Sequence, residues 1–270
     1  MTPPICVGKY NFQKQHYPAG LGEQERNFSV LVSKEVLDFI PQVALVLFTP
    51  PVAGAERREL HKNVYQRLNM GVVTFATAAL AAEVIHIDIL DIAASIGMAT
   101  ILGITVAVPS YYYAMTSGHG LGLWSMMKAR PLPDSKGVAY ALLAPAFYGA
   151  GLACMLTPSE SLTNVFQYAH GEDCITLWRM FGALLLMLPT WAVSLKEAAD
   201  RRHLDRPPYI TLNMGLALTG LINVAILSPW WTQYSAGPVM PLMLGTWAAA
   251  AAVGIWGELT PNSADSITQP

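Results

Sequence analysis

The sequence AAEVIHIDILDIAAS, residues 81–95, places four proton-exchanging groups inside an apolar run. Glu83, His86, Asp88 and Asp91 are carboxyls and an imidazole, the side chains most used for general acid–base catalysis. On one continuous helix they would not converge, because Asp88 would lie roughly 140° around the helix from Glu83. A turn between two antiparallel helices would bring them to one site. The HxD spacing fits no metal motif.

Glu83 is the strongest candidate of this group, because it precedes the turn at the end of the apolar sequence GVVTFATAALAAE. Apolar neighbours favour the protonated carboxyl, which can act as a general acid. The alternative is that all four residues belong to an ordinary solvated turn, since any connection between two membrane helices needs polar residues.

The composition indicates a membrane protein. Of the 270 residues, 53% are hydrophobic and 13% are charged, whereas a soluble domain has about 25% charged residues. The net charge of −2 and the scattered Lys and Arg residues argue against a nucleic-acid partner, which needs a dense basic face. The expected partners are the lipid bilayer and either a hydrophobic small molecule or other transmembrane helices.

Apolar segments predict an all-α bundle of six transmembrane helices. Residues 70–115 contain no Lys or Arg, and as one helix they would extend roughly 69 Å, about twice the thickness of the hydrocarbon core. This run must therefore fold back on itself near Glu83 and Asp91 and supply two spans. Four more follow, at residues 137–156, 177–195, 209–227 and 239–257.

Basic residues predict the orientation, since cytoplasmic connections carry an excess of Lys and Arg. Eleven of them fall before the first span and after the second and fourth spans, while Arg179 alone falls in the alternate connections. This asymmetry predicts that both termini are cytoplasmic.

The predicted organisation has four parts. Residues 1–35 form a polar segment, 36–68 an interfacial or broken helix with a basic linker, 69–257 the six-helix domain and 258–270 a disordered tail. A seventh span at 36–55 is the alternative, but Asp38, Pro41, Pro50 and Pro51 would leave backbone carbonyls without partners in lipid.

The connections with few basic residues supply a second group of candidate residues on the same side as Glu83. We expect acids and an imidazole beside an aromatic wall, which together could bind a substrate: His170, Glu172, Asp173, Arg179, Trp230, Trp231 and Tyr234, with Glu160 as a further acid. For Arg179, a structural ion pair with Glu172 or Asp173 is the default, and the aromatic residues also fit an interfacial belt.

Cysteine spacing excludes the usual zinc modules, and we expect neither a metal nor a cofactor. Cys154 and Cys174 both fall near the side with few basic residues. They would form a disulfide if that side is oxidising, or remain free thiols.

Two functions remain open from the sequence. The first is a membrane-embedded enzyme that cyclises or isomerises a terpenoid, polyketide or lipid by acid–base chemistry at a non-cytoplasmic pocket. The second is a non-catalytic membrane subunit, in which the small-residue segments GLALTG and AAAAAVG pack against partner helices. A carrier is disfavoured because the spans provide no polar path. The expected location is an endomembrane such as the endoplasmic reticulum in a eukaryote, or the inner membrane in a bacterium.

Overall fold

A computed structural model describes residues 63–85, 92–116, 134–166, 172–234 and 237–259. Within these ranges every secondary-structure element is a helix, so the predicted all-α class is confirmed for this part of the chain. In chain order the helices are α1 (Asn63–Ile85), α2 (Ile92–Thr116), α3 (Ser135–Leu156), α4 (Pro158–Val165), α5 (Glu172–Asp200), α6 (Pro207–Tyr234) and α7 (Val239–Leu259).

Five of these helices are long and apolar enough to cross a membrane, as in an integral membrane protein. Their apolar segments are Val64–Ile85, Ser135–Leu156, Cys174–Asp200, Pro207–Pro229 and Val239–Leu259, and α2 contains a shorter one, Ala99–Val108. They coincide with five of the six predicted spans, and α2 covers the sixth. The predicted segment 1–35, residues 36–62 of the predicted segment 36–68, with the possible seventh span, and residues 260–270 of the predicted tail 258–270 lie outside the described residues. Residues 63–68 belong to α1, and residues 258–259 belong to α7.

The long apolar run is divided between α1 and α2, and the two helices pack against each other. Leu102 of α2 shares a buried cluster with Ala76 and Ala79 of α1. Residues 86–91 separate the two helices. Ala76 and Ala79 precede this connection by about as many residues as Leu102 follows it. The cluster therefore fits an antiparallel pair whose connection contains three of the four proton-exchanging residues.

Helix α5 forms the centre of the bundle and packs against α1 and α3. Its backbone approaches α3 closely at two glycines: a Cβ on Gly182 would lie 3.0 Å from the Gly151 carbonyl oxygen, and the reverse distance is also 3.0 Å. Beyond this crossing, Met187, Trp191 and Leu195 are completely buried in the core. In lipid, such tight packing replaces the hydrophobic effect as the force that joins helices.

Helices α6 and α7 form a second tightly packed pair. A Cβ on Gly254 would lie 2.8 Å from both the Ala217 nitrogen and the Asn213 carbonyl oxygen, and one on Gly220 would lie 2.6 Å from the Ala251 nitrogen. The buried small residues of GLALTG and AAAAAVG therefore contact each other within one chain.

The helix packing sorts charged residues into two ends of the bundle. At the first, which we call the basic end, Glu197 pairs with Arg67 and Arg201, and Lys196 Nζ donates a hydrogen bond of 2.7 Å to Asp200 Oδ2. At the other, the acidic end, α1, α3 and α6 finish and α5 and α7 begin. The acidic end carries Glu83, Glu160 and Glu172.

Replacing Gly254 by Leu tests the α6–α7 contact. The new side chain would meet the backbone of α6, so we expect the unfolding free energy to fall by about 2 kcal/mol. Gly245→Leu on the same helix is the matched control, because nothing lies within 4 Å of a Cβ there. Thermal unfolding in detergent measures both variants, and equal midpoints would contradict the close approach.

Candidate functional site

Glu83 lies in the last turn of α1 and is 8% exposed. Glu83 is therefore largely shielded from water, and it interacts with another group of the protein. Glu83 does not line the cavity described below. Its predicted role as a general acid stays a prediction.

The other predicted residues are described to different extents. Four of them lie outside the described residues: His86, Asp88, Asp91 and His170. The backbones of Glu172 and Asp173 begin α5, and those of Trp230, Trp231 and Tyr234 end α6, so these segments belong to helix ends on the same side of the bundle. Arg179 lies two turns into α5 and is partly exposed.

A cavity of about 430 Å³ opens at the acidic end between α3, α4, α5 and α7. Its innermost side is α5, where Trp178, Phe181 and Leu185 are buried. On α3 and α7 the lining side chains include exposed ones, among them Ala150 and Leu242, of which Leu242 is 71% exposed. The cavity is therefore closed by α5 and bordered by exposed residues of α3, α4 and α7.

Four aromatic rings form a continuous wall of this cavity. Trp178 and Phe181 are stacked with their ring centroids 5.2 Å apart, and Phe181 lies 6.4 Å from Trp247. Phe147 lies 5.3 Å from Trp247. These separations are those of favourable aromatic pairs. The wall brings aromatic rings from three helices to one cavity.

The polar side of the cavity is supplied by the short helix α4. Pro158 begins it, at a position where a helix needs no backbone N–H. Leu162 and Val165 are buried beneath it, while Glu160 and Asn164 are exposed along the cavity. The helix thus covers one end of an otherwise apolar site with a carboxylate and an amide.

A hydrogen bond joins α4 to the aromatic wall. Trp178 Nε1 donates to Ser161 Oγ at 2.8 Å, and the Ser161 hydroxyl donates to the Pro158 carbonyl oxygen at 3.1 Å. The Ser161 side chain also interacts with Cys154 of α3. Helices α3, α4 and α5 therefore meet at Ser161. The hydrogen bond holds the Trp178 ring at Ser161, the residue that follows Glu160 in the sequence.

Glu160 is the one Asp, Glu, Lys, Arg or His side chain among the described residues that line the cavity. It lies in the first turn of α4, where the helix dipole stabilises an anion. A carboxylate in this position can accept a proton or a hydrogen bond from a bound molecule.

The two buried cysteines are free thiols in the structure, so of the two open alternatives the free-thiol form is observed. Among the described residues, no group of three His, Cys, Asp or Glu side chains could hold a metal ion. No protein family, curated protein or solved structure matches the chain. The site therefore has to be interpreted from its own chemistry.

Sequence reasoning included Glu160 but missed α4 and the aromatic wall. The spacing of Trp178, Phe181 and Leu185 on α5 was a usable signal, because residues three and four apart share one helix face. Phe147 and Trp247 gave no such signal, since only the packing of α3 and α7 brings them together.

Replacing Ser161 by Ala tests the connection between α4 and the aromatic wall. The Trp178 N–H loses its acceptor, and we expect the unfolding free energy to fall by about 1 kcal/mol. Ser159→Ala, at an exposed position of the same helix, should leave it unchanged. Thermal unfolding in detergent compares the two, and a neutral Ser161→Ala variant would contradict the bond.

Proposed function

We propose that this chain is a membrane-embedded enzyme that binds a hydrophobic small molecule at the acidic end and acts on it by acid–base chemistry. The observation that carries the proposal is the cavity of about 430 Å³, with its aromatic wall and its single carboxylate. Small-molecule sites have this size and this mostly apolar lining with a few polar groups. A terpenoid, polyketide or lipid has the apolar surface to fill it.

Glu160 is the proposed acid–base residue of the cavity. It would first take a proton from the bound molecule and then return the proton to another atom of that molecule. Together these two proton transfers are an isomerisation. If a bond forms within the substrate when the proton returns, the reaction is a cyclisation. Neither reaction changes the oxidation state of the substrate.

Glu83, His86, Asp88 and Asp91 remain the proposed alternative group for proton transfer. The burial of Glu83 supports a carboxyl held by the protein, whereas its position outside the cavity lining favours Glu160. The remaining predicted residues are proposed to bind substrate: His170, Glu172, Asp173, Arg179, Trp230, Trp231 and Tyr234.

A non-catalytic membrane subunit is the alternative function. In the sequence, this function was supported by two small-residue segments, GLALTG and AAAAAVG, that could pack against partner helices. The buried residues of these segments instead pack against each other in α6 and α7. This internal use of the small residues favours the enzyme over the subunit.

The proposed topology has six spans, with α2 as the second, and places the basic end and both termini in the cytoplasm. The basic residues described at the basic end support it, since positive residues are retained on the cytoplasmic side. The cavity would then open on the lumenal side of an endomembrane or the periplasmic side of an inner membrane.

Labelling of single cysteines tests this topology. In a chain whose native cysteines are replaced, Ser159→Cys on α4 and Asp205→Cys after α5 are both at exposed positions. In sealed vesicles with the cytoplasmic face outward, an impermeant maleimide should label Asp205→Cys at once and Ser159→Cys only after detergent is added. Labelling of both before detergent would contradict the proposed orientation.

Complementation tests the catalytic proposal. In cells that lack the chain, the wild type should restore a lipophilic product that mass spectrometry of lipid extracts detects, and Glu160→Gln should lower its formation at least about a hundredfold, the usual loss for an acid–base group. Asp205→Asn, an exposed carboxylate at the basic end, is the matched control and should restore the product fully.

Two further results of the same experiment distinguish the alternatives. Loss of product with Glu83→Gln and full restoration with Glu160→Gln would move the chemistry to the first turn and refute the role of Glu160. Full restoration by both variants would favour the non-catalytic subunit.

A further inference from the structure

We infer that the cavity at the acidic end recognises a lipophilic amine in its protonated form. This inference rests on the proposed function, because it assigns a substrate class to the same cavity. The assignment follows from the sign of the charge at the site, from the rings around it and from the shape of the apolar part.

The charge at the cavity is negative. Glu160 supplies a carboxylate, and no Lys, Arg or His belongs to the described residues that line the space. A negatively charged ligand would therefore find no partner, and it would be repelled by Glu160. A protonated amine would pair with the carboxylate, and that attraction is stronger beside an apolar wall than in bulk water.

The aromatic wall adds a second reason for a cation. Trp178, Phe181, Trp247 and Phe147 present adjoining rings to the cavity, and the face of an aromatic ring attracts a positive charge, most strongly for Trp. The bond from Trp178 to Ser161 Oγ fixes one of these rings beside Glu160. Rings and a carboxylate thus belong to the lining of one cavity.

The rest of the cavity fits an apolar body. Leu185, Leu242 and Met243 belong to its lining. Leu242 is exposed on α7, in a helix apolar enough to cross a membrane. A ligand would therefore lie with its ammonium group at α4 and its apolar part along α7.

Three fluorescent probes with one apolar body test this inference. Diphenylhexatriene without a head group is neutral, its trimethylammonium derivative is a cation, and its propionate derivative is an anion. The full chain is placed in nanodiscs of phosphatidylcholine, and binding is followed by energy transfer from protein tryptophan, with partition into empty nanodiscs subtracted. The trimethylammonium group keeps its charge and has no proton to lose, so it reports charge recognition separately from proton transfer.

We expect the cationic probe to bind about tenfold more tightly than the neutral probe, within the range that cation–π contacts provide, and the anionic probe to bind most weakly. Glu160→Gln should remove most of the advantage of the cation and leave the neutral probe unchanged. Asp205→Asn should preserve the full preference. Both substitutions are at exposed positions, so neither is expected to disturb folding, which gel filtration checks.

The other outcomes separate this inference from the proposed function. Saturable binding of all three probes with equal affinity would overturn the amine assignment and leave a site for neutral lipophiles in place. A preference for the cation that survives Glu160→Gln would also overturn it. Absence of saturable binding by any probe would overturn both the amine assignment and the proposed use of this cavity.

Discussion

The close approach of α3 and α5 at Gly151 and Gly182 determines the geometry of the rest of the bundle. The backbones are in contact there, and the neighbouring residues Cys154 and Phe181 are buried and line the cavity. At the other end of the same pair, Gly137 lies against Asp200. One helix pair in contact over its whole length thus holds both the ion pairs of the basic end and the cavity of the acidic end.

The second pair, α6 and α7, is joined as tightly but touches the rest of the bundle in fewer places. Its contacts with α3 include Phe147 against Trp247 and a hydrogen bond of 2.6 Å from the Tyr140 hydroxyl to Asn213 Oδ1. The hydrogen bond lies near the basic end and the aromatic pair nearer the acidic end. The cavity lies between these contacts and α4, in space that α7 does not fill.

The sequence predicted the helices well because lipid imposes a simple rule, that a spanning segment must be about 20 residues long and must satisfy its own backbone. The segment 239–257 differs from α7 by two residues. Helix α4 could not be predicted in the same way, since Pro158–Val165 is short and half polar. Its burial depends on residues of α3 and α5 that are close only after folding.

The candidate site was predicted in part for the same reason. Sequence reasoning placed its candidate residues on the side of the bundle where the cavity lies, because acids and basic residues separate along the chain, and it included Glu160 there. It chose Glu83 first on the basis of apolar neighbours in sequence. The choice between the two carboxyls depends on which helix faces the cavity, and helical periodicity in α1 alone does not contain that information.

Exposed lining residues of the cavity, such as Leu242 on α7 and Ala150 on α3, have a thermodynamic consequence for the proposed ligand. A lipophilic molecule that enters past them from the bilayer would exchange with the lipids. Occupancy is then set by the mole fraction of ligand among the lipids. The same protein would reach half-saturation at different total ligand concentrations whenever the amount of lipid changes, although its intrinsic affinity stays constant.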